Sequence, residues 1–463
     1  MNGEQNIRGF MMKKHTKNYM MLIMLSTGFI MAVLDTTGVA LAIPNLEVYL
    51  QLSTLQSAWL INVYILGLGG TLLLSGNLSI KFGDKRLFLT GMFLFACASA
   101  VCGLSVCFPQ LLFFRFLQGV GASLFMPSAM SLLFNAYGDA KIRAKVLGIW
   151  TAIISVATGI GSLVGGFFIT SFGWRSIFFI NVPLSMIAIV YIYMTSTNVV
   201  RVGRKSINYF DNILLTMSIG TVILYLTIGK QLGYLSYQSL GCLLSFIVLL
   251  SIVILRERRT KNPIVPFILL RNIDFLTANL FGFIVNVSLY GLVIIFGLYY
   301  QSDMHYSAMV SGLLILPGMI ILVVGNIFYT RIIKFIPVSK LIKYSISIAI
   351  LGSLILMFVS ILTTKRAIIL VTIGFAVLSF GIGMLTPAST TLLMESAGSE
   401  LSSVAGATLN ANKQIGGLFG TAIVSVIVSF LVNQWQLILS VFFIVNLLLY
   451  AVAYMIQRNI QSH

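Results

Sequence analysis

Residues 19–42 read YMMLIMLSTGFIMAVLDTTGVALA. The stretch is apolar, unbroken and long enough to cross a bilayer as a helix, which takes roughly 20 such residues. One acidic side chain, Asp35, stands inside it. A carboxylate at membrane depth costs several kcal/mol unless it is paired, hydrated or protonated, on the order of the penalties for ionised groups in lipid, and is a functional-site candidate for that reason. Lys13, Lys14 and Lys17 precede the run, and Ala40-Leu41-Ala42 resembles a small-residue cleavage site. The run is long for a signal sequence and carries Asp35, so it is read as a retained first helix.

Composition extends that reading to the whole chain. Of 463 residues, 58% are hydrophobic and only 9% charged. Soluble domains carry about 25% charged residues, so this chain has too little polar surface to cover a water-soluble core. The formal net charge of +18 comes from basic residues in short loops, a pattern of membrane orientation rather than nucleic-acid binding. Cys97, Cys102, Cys107 and Cys242 lie in or beside apolar stretches without metal spacing, and His15, His305 and His463 are scattered. No metal and no cofactor is expected.

Apolar stretches bounded by charge, Pro or Gly define fourteen candidate spans, at 19–42, 55–77, 87–106, 109–134, 146–170, 176–196, 210–228, 239–255, 275–300, 309–330, 344–362, 367–393, 403–430 and 436–456. With the N-terminus inside, the inner segments carry 23 Lys and Arg, among them Lys81, Lys85, Arg86, Arg143, Arg204, Arg258 and Arg331. The outer loops carry 4, namely Arg175, Lys230, Lys365 and Arg366. That bias supports the parity of the count and places both termini in the cytoplasm, because one span more or fewer would exchange the sides downstream. Gly76-Asn77 in span 2 and Gly325-Asn326 in span 10 hint at a repeat. The implied plan is all-α: a six-helix bundle over 1–196, an inserted helix pair with its flanking loops over 197–274, and a second six-helix bundle over 275–463. Two related halves around a midplane site are a common transporter plan.

Two basic residues lie within spans. Arg115, six residues into the inward-running span 4, matches the depth of Asp35 near the end of the outward-running span 1. At 1.5 Å per residue each is roughly 10 Å below the outer surface. Opposite charges at one depth are natural partners. They form either a permanent lock between helices or a titrating couple. Burial disfavours the charged carboxylate and a guanidinium favours it, so a motion changing either would take up or release a proton. Lys413 lies in Asn410-Ala411-Asn412-Lys413-Gln414, a segment polar enough to face the bundle interior. It contacts substrate or pairs across the bundle. Asn62, Tyr64, Gln118, Asn286, Tyr290, Gln301 and Asn410 are further polar candidates for a substrate pocket, since polar groups in spans avoid lipid. The numerous Phe and Met suit an apolar, adaptable pocket.

Three local patterns then carry a resemblance. They are Gly76-Asn77-Leu78-Ser79-Ile80-Lys81-Phe82-Gly83-Asp84-Lys85-Arg86 after span 2, Arg115-Phe116-Leu117-Gln118-Gly119 in span 4, and Gly159-Ile160-Gly161-Ser162-Leu163-Val164-Gly165-Gly166 in span 5. With Leu34-Asp35-Thr36-Thr37 they resemble the signature motifs of the major facilitator superfamily, and of its fourteen-helix, QacA-type drug:proton antiporters. The resemblance implies the major facilitator fold. It implies a proton-coupled multidrug efflux antiporter of the bacterial cytoplasmic membrane, acting as a monomer on amphiphilic drugs, with protons and membrane lipid as its other partners. Asp35 and Arg115 would couple protons. Gly76, Gly83, Lys85, Arg86, Gly161, Gly165 and Gly166 would belong to the conformational motifs. The sequence departs from the family pattern at Ile80 (usually an acid), Ser162 (usually proline) and Ala40 (often asparagine). With Lys413 in span 13 and no clear second intramembrane acid, monocationic, zwitterionic or neutral amphiphiles fit better than dications. The alternative is a carrier for another small amphiphile or a metal–drug complex, coupled to protons, sodium or potassium. No phosphate-binding GxxxxGK[ST] or HExxH motif is present, so neither an ATP motor nor an enzyme is expected.

Overall fold

Lipid offers the backbone no hydrogen bonds, so an apolar chain of this length must satisfy its amides within helices. The computed structural model, which describes residues 2–196, 208–260, 263–306, 308–360, 367–431 and 434–461, is helical throughout apart from short connections. The helices are α1 (Asn2–Leu50), α2 (Thr54–Phe82), α3 (Asp84–Gly103), α4 (Phe108–Asn135), α5 (Ala140–Phe172), α6 (Ser176–Phe179) and α7 (Asn181–Thr195). They continue with α8 (Tyr209–Leu232), α9 (Tyr237–Glu257), α10 (Phe267–Arg271), α11 (Ile273–Leu298), α12 (Ala308–Ile332), α13 (Val338–Ser360), α14 (Ala367–Phe430) and α15 (Trp435–Gln461). A π-helical turn, Tyr299–Asp303, closes α11.

Local chemistry sets the ends. Ser53 caps α2 through the Gln56 amide, and the Gln56 side chain accepts from the Ser53 N–H at 2.9 Å. Asp139, Asn208, Ser236 and Asn272 cap α5, α8, α9 and α11. Gly83 ends α2 at φ 90°, a backbone conformation that a side chain disfavours, which is the structural reason for that glycine. Two expected boundaries shift. α1 continues past Ala42 and through Pro44 to Leu50. The loop expected between 393 and 403 is helical, interrupted only at Gly398 (φ 68°), so the apolar stretches on either side form one kinked element.

Eleven helical segments among the described residues are long and apolar enough to cross a bilayer. The chain is a multi-pass membrane protein. On α9, Leu240, Leu244, Ile247, Val248 and Leu255 remain exposed, a surface suited to lipid.

Two buried clusters organise the interior. One joins α1–α5 and α7 through Phe29, Phe88, Phe95, Phe125 and Trp150, and extends to α14 around Gly398. The other joins α11–α15 through Phe281, Phe296, Phe375 and Phe442. The packing repeats between them. The α2–α4, α3–α4, α3–α7 and α1–α5 neighbours have counterparts in α12–α14, α13–α14, α13–α15 and α11–α14. Glycines mediate the close approaches in both sets, as expected where lipid supplies no hydrophobic drive between helices. A Cβ on Gly119 would lie 2.3 Å from the Tyr64 carbonyl oxygen, and one on Gly383 would lie 2.2 Å from that of Leu322. The two sets meet where Gly76 abuts Ala407 and Ser403, Gly406 abuts Pro127, and Ser131 bonds Ser402 at 2.8 Å. α5 meets α12 through Ser155–Asn326 (3.1 Å) and through Gly148 against Thr330. α8 packs on α9 and on α2, where Thr216 donates to the Gly70 carbonyl at 2.7 Å.

The glycine contacts give a graded expectation. Gly119→Ala lowers the thermal unfolding midpoint of the detergent-purified protein, by overpacking worth about 1–3 kcal/mol. Gly166→Ala does not, because nothing lies within 4 Å of its added methyl. Scanning fluorimetry on the two variants checks this, and an equal drop in both would contradict the packing account.

Candidate functional site

Asp35 and Arg115 meet. The carboxylate is 0% exposed and the guanidinium 1% exposed, and Arg115 Nη1 donates to Asp35 Oδ2. Both charges come from spans that a 3.6-residue period rotates toward each other, and both leave lipid by facing inward. The rest of the cluster satisfies what the pair leaves over. Gln118, one turn from Arg115 on α4, donates to Asp35 Oδ1 at 2.7 Å and to Ser99 Oγ at 2.7 Å, while its Oε1 accepts from Arg115 at 2.7 Å. Asn181, at the start of α7, donates to Asp35 Oδ1 at 3.5 Å and to Ser99 Oγ at 3.3 Å. Arg115 Nε donates to the Leu60 carbonyl at 3.2 Å. The Tyr64 ring lies 4.5 Å from the guanidinium carbon and the Phe178 ring 6.0 Å, so aromatic faces cover the cation.

Six helices, α1, α2, α3, α4, α6 and α7, therefore supply the cluster around one carboxylate, and among the described residues no solvent reaches it. Val39, Ala42 and Leu46 of α1 pack with Leu60, Leu111, Trp174, Ile177 and Phe178 into an apolar plug at the end of the bundle beyond Asp35. Toward the other end lies the Phe29–Phe125–Trp150 core. An adjoining face of α1 does different work. Leu34 and Ile30 line an apolar cavity of about 480 Å³ with Ile149, Ile153 and Val156 of α5 and Val323, Ile327 and Thr330 of α12. Successive residues of one helix thus point into the polar cluster and into the cavity.

The remaining candidates distribute as follows. Tyr64 and Gln118 belong to the Asp35 cluster, with both ends of the Gln118 amide engaged there. Asn286 and Asn410 are buried and donate to their own helices, at Gly282 and Gly406. Tyr290 is 45% exposed and lies against Gly417. Asn62 is half-buried, and Gln301 is exposed in the π-helical turn. Lys413 is half-buried with its Nζ 5.0 Å from the Trp150 ring. Gly161 and Gly165 pack against Thr37 and Gly38 of α1, whereas Gly166 faces open space. Lys85 donates to the Tyr193 and Ser196 carbonyls at 2.8 and 2.5 Å, and Arg86 is exposed. Asp84 accepts from Ser79 and from Ser131. Sequence reasoning did not assign Ser99, Asn181 or Trp150. Depth matching would have found Asn181, which opens its span near the level of Arg115. Nothing local marks Ser99.

Residues 25–421 match the family model described as Major Facilitator Superfamily. The chain belongs to the major facilitator superfamily. Members are carriers, not enzymes. It is 34% identical to the methylenomycin A resistance protein of Bacillus subtilis (strain 168), covering 88% of this chain and 87% of that protein. It is 35% identical to the methylenomycin A resistance protein of Streptomyces coelicolor, covering 87% and 84%. The multidrug transporter protein MdtP of Bacillus subtilis is 29% identical, covering 90% and 76%. Among solved structures, the human organic anion transporter MFSD10 superposes with a TM-score of 0.68 at 13% identity, covering 95% of this chain and 99% of that one. The proton:xylose symporter XylE does so with 0.66 at 14%, covering 96% of each. These structural likenesses concern the fold.

The cluster makes a stability prediction. Arg115→Met strands a buried carboxylate and costs about 3–5 kcal/mol, whereas Asp35→Asn combined with Arg115→Met recovers most of that loss. Thermal unfolding of the single and double variants reads the coupling, and additive effects would show that the pair is not energetically linked.

Proposed function

We propose that this transporter is a proton-coupled drug efflux antiporter of the fourteen-helix type. The observation that carries the proposal is the placement of Asp35: sealed among Arg115, Gln118 and Asn181 on one face of α1, while adjacent Leu34 lines the apolar cavity. A substrate filling that cavity bears on the same helix that holds the carboxylate. Shifting α1 against α4 separates Asp35 from Arg115, and a carboxylate deprived of its counter-charge in lipid takes a proton. Restoring the contact expels it. Alternating rocking of the two halves then links proton movement one way to drug movement the other. The resistance and multidrug names of the relatives support a drug as the exported molecule.

Fourteen crossings are supported by three features beyond the eleven apolar segments. α14 is kinked at Gly398 between two apolar stretches, α5 has 33 residues, and α8 has 24. The repeated packing supports one six-helix bundle within 1–196 and another within 275–463, with α8 of the 197–274 segment packed beside α2 and α9 packed on α8. The loop charges support cytoplasmic termini and a cytoplasmic-membrane location. The contacts through Ser131–Ser402 and Gly76–Ala407 lie at the basic-loop end, so the described conformation is closed toward the cytoplasm. The carrier works on amphiphilic small molecules, as a monomer in lipid.

Asp35→Asn should abolish export driven by a pH gradient while leaving the folded protein and its drug binding in place. Everted vesicles, with the gradient collapsed as control, measure this; wild-type efflux by the variant would remove Asp35 from the coupling step. Green fluorescent protein fused after Gln461 or inserted in the 197–207 segment should fluoresce, and alkaline phosphatase joined at Gly233 should be active. The opposite pattern at any of the three sites would break the topology.

A further inference from the structure

Lys413 is a second intramembrane cation, which the coupling cluster does not use. It projects from α14 toward α5, with its Nζ 5.0 Å from the ring of Trp150. Trp150 is fully buried and makes an edge contact with Phe29 of α1 at 4.7 Å between ring centroids. The ammonium therefore sits where α1 and α5 of one half face α14 of the other. Among the described residues it has no ion-pair partner, and Asp35 is already engaged by Arg115. An indole face returns only about 0.5–2 kcal/mol to a cation. The half-buried ammonium forfeits part of the several kcal/mol that a fully buried unpaired ion costs, so the aromatic contact leaves Lys413 short of a counter-charge.

The surroundings suit a ligand that supplies one. One turn along the same face of α14, a Cβ on Gly417 would lie 3.2 Å from the Tyr290 ring, and Tyr290 is 45% exposed. On α5, Trp150 stands between Ile149 and Ile153, and on α1, Phe29 precedes Ile30; Ile149, Ile153 and Ile30 all line the 480 Å³ apolar cavity. The cation, the phenol and the indole do not themselves line the cavity, which lies beside the helical positions that neighbour Trp150 on α5 and Phe29 on α1.

We propose that Lys413 binds the anionic group of the transported molecule, and that the substrate class includes amphiphiles bearing a single carboxylate. The proposal rests on the exporter reading for the movement, but not for the binding. The carboxylate pairs with the Lys413 ammonium against Trp150, Tyr290 offers a hydroxyl, and the apolar body occupies the cavity beside Leu34. A dication would meet Lys413 as a like charge, which selects against that class.

The test uses the full chain in lipid nanodiscs, with ibuprofen (an aryl carboxylate) and its methyl ester titrated near neutral pH by tryptophan fluorescence. The ratio of the two affinities, compared between variants, removes their different partition into lipid. Lys413→Met should weaken the acid about tenfold, equivalent to about 1.4 kcal/mol, and leave the ester unchanged. Lys413→Arg should keep the acid. Unchanged acid binding in Lys413→Met would overturn the proposal, as would equal loss of acid and ester or a wild-type protein that does not bind the acid. Asp35→Asn serves as the separating control. It should fail to export the acid while keeping the wild-type ratio of acid to ester affinity, so loss of coupling and loss of anion recognition are read independently.

Discussion

The structure depends on keeping a carboxylate and a guanidinium together where there is no water. Asp35 and Arg115 each face a desolvation penalty of several kcal/mol in the bundle, and each is the other's main relief. Gln118, Asn181 and Ser99 supply the remaining hydrogen bonds, and Tyr64 and Phe178 cover the cation. Each member of the cluster stabilises the others. That property makes it a suitable couple for transport, because a small displacement of α1 or α4 changes the cost of the charge abruptly.

The helices carrying the pair can approach because small residues stand where they touch. Gly67 and Gly119 bring α2 against α4, and Gly161 and Gly165 bring α5 against α1. The same device recurs in the second half, with Gly383 against α12 and Gly416 and Gly420 against α11. Lipid is as apolar as the helix surfaces, so close backbone packing rather than hydrophobic burial selects the neighbours. The two sets touch through contacts such as Ser155–Asn326, and the proposed exchange has them rock about these contacts.

The two intramembrane cations occupy different environments. Arg115 is enclosed by acceptors and aromatic faces within one half. Lys413 lies where α14 meets α5, with an indole and, among the described residues, no ion-pair partner beside it. The planar, multiply donating group suits a permanent network, and the single ammonium suits a partner that comes and goes.

Several properties were legible in the linear chain. Hydropathy, loop charge and the depth of Asp35 and Arg115 depend on residue type and on rise per residue, and these are local quantities. They identified an all-helical membrane carrier and brought the two charges to one level before any packing was known. The glycine motifs marked close approaches, but not that Gly161 and Gly165 touch α1 while a methyl on Gly166 would meet none of the described residues. Tyr64 and Gln118 read as polar candidates for a pocket, and only the folded chain put them beside Asp35. Ser99, Asn181 and Trp150 joined their partners from distant spans, and Leu34 was turned into a cavity shared with α5 and α12. Those relations depend on how helices rotate and tilt against one another, which summed packing over the whole bundle decides and no single span encodes.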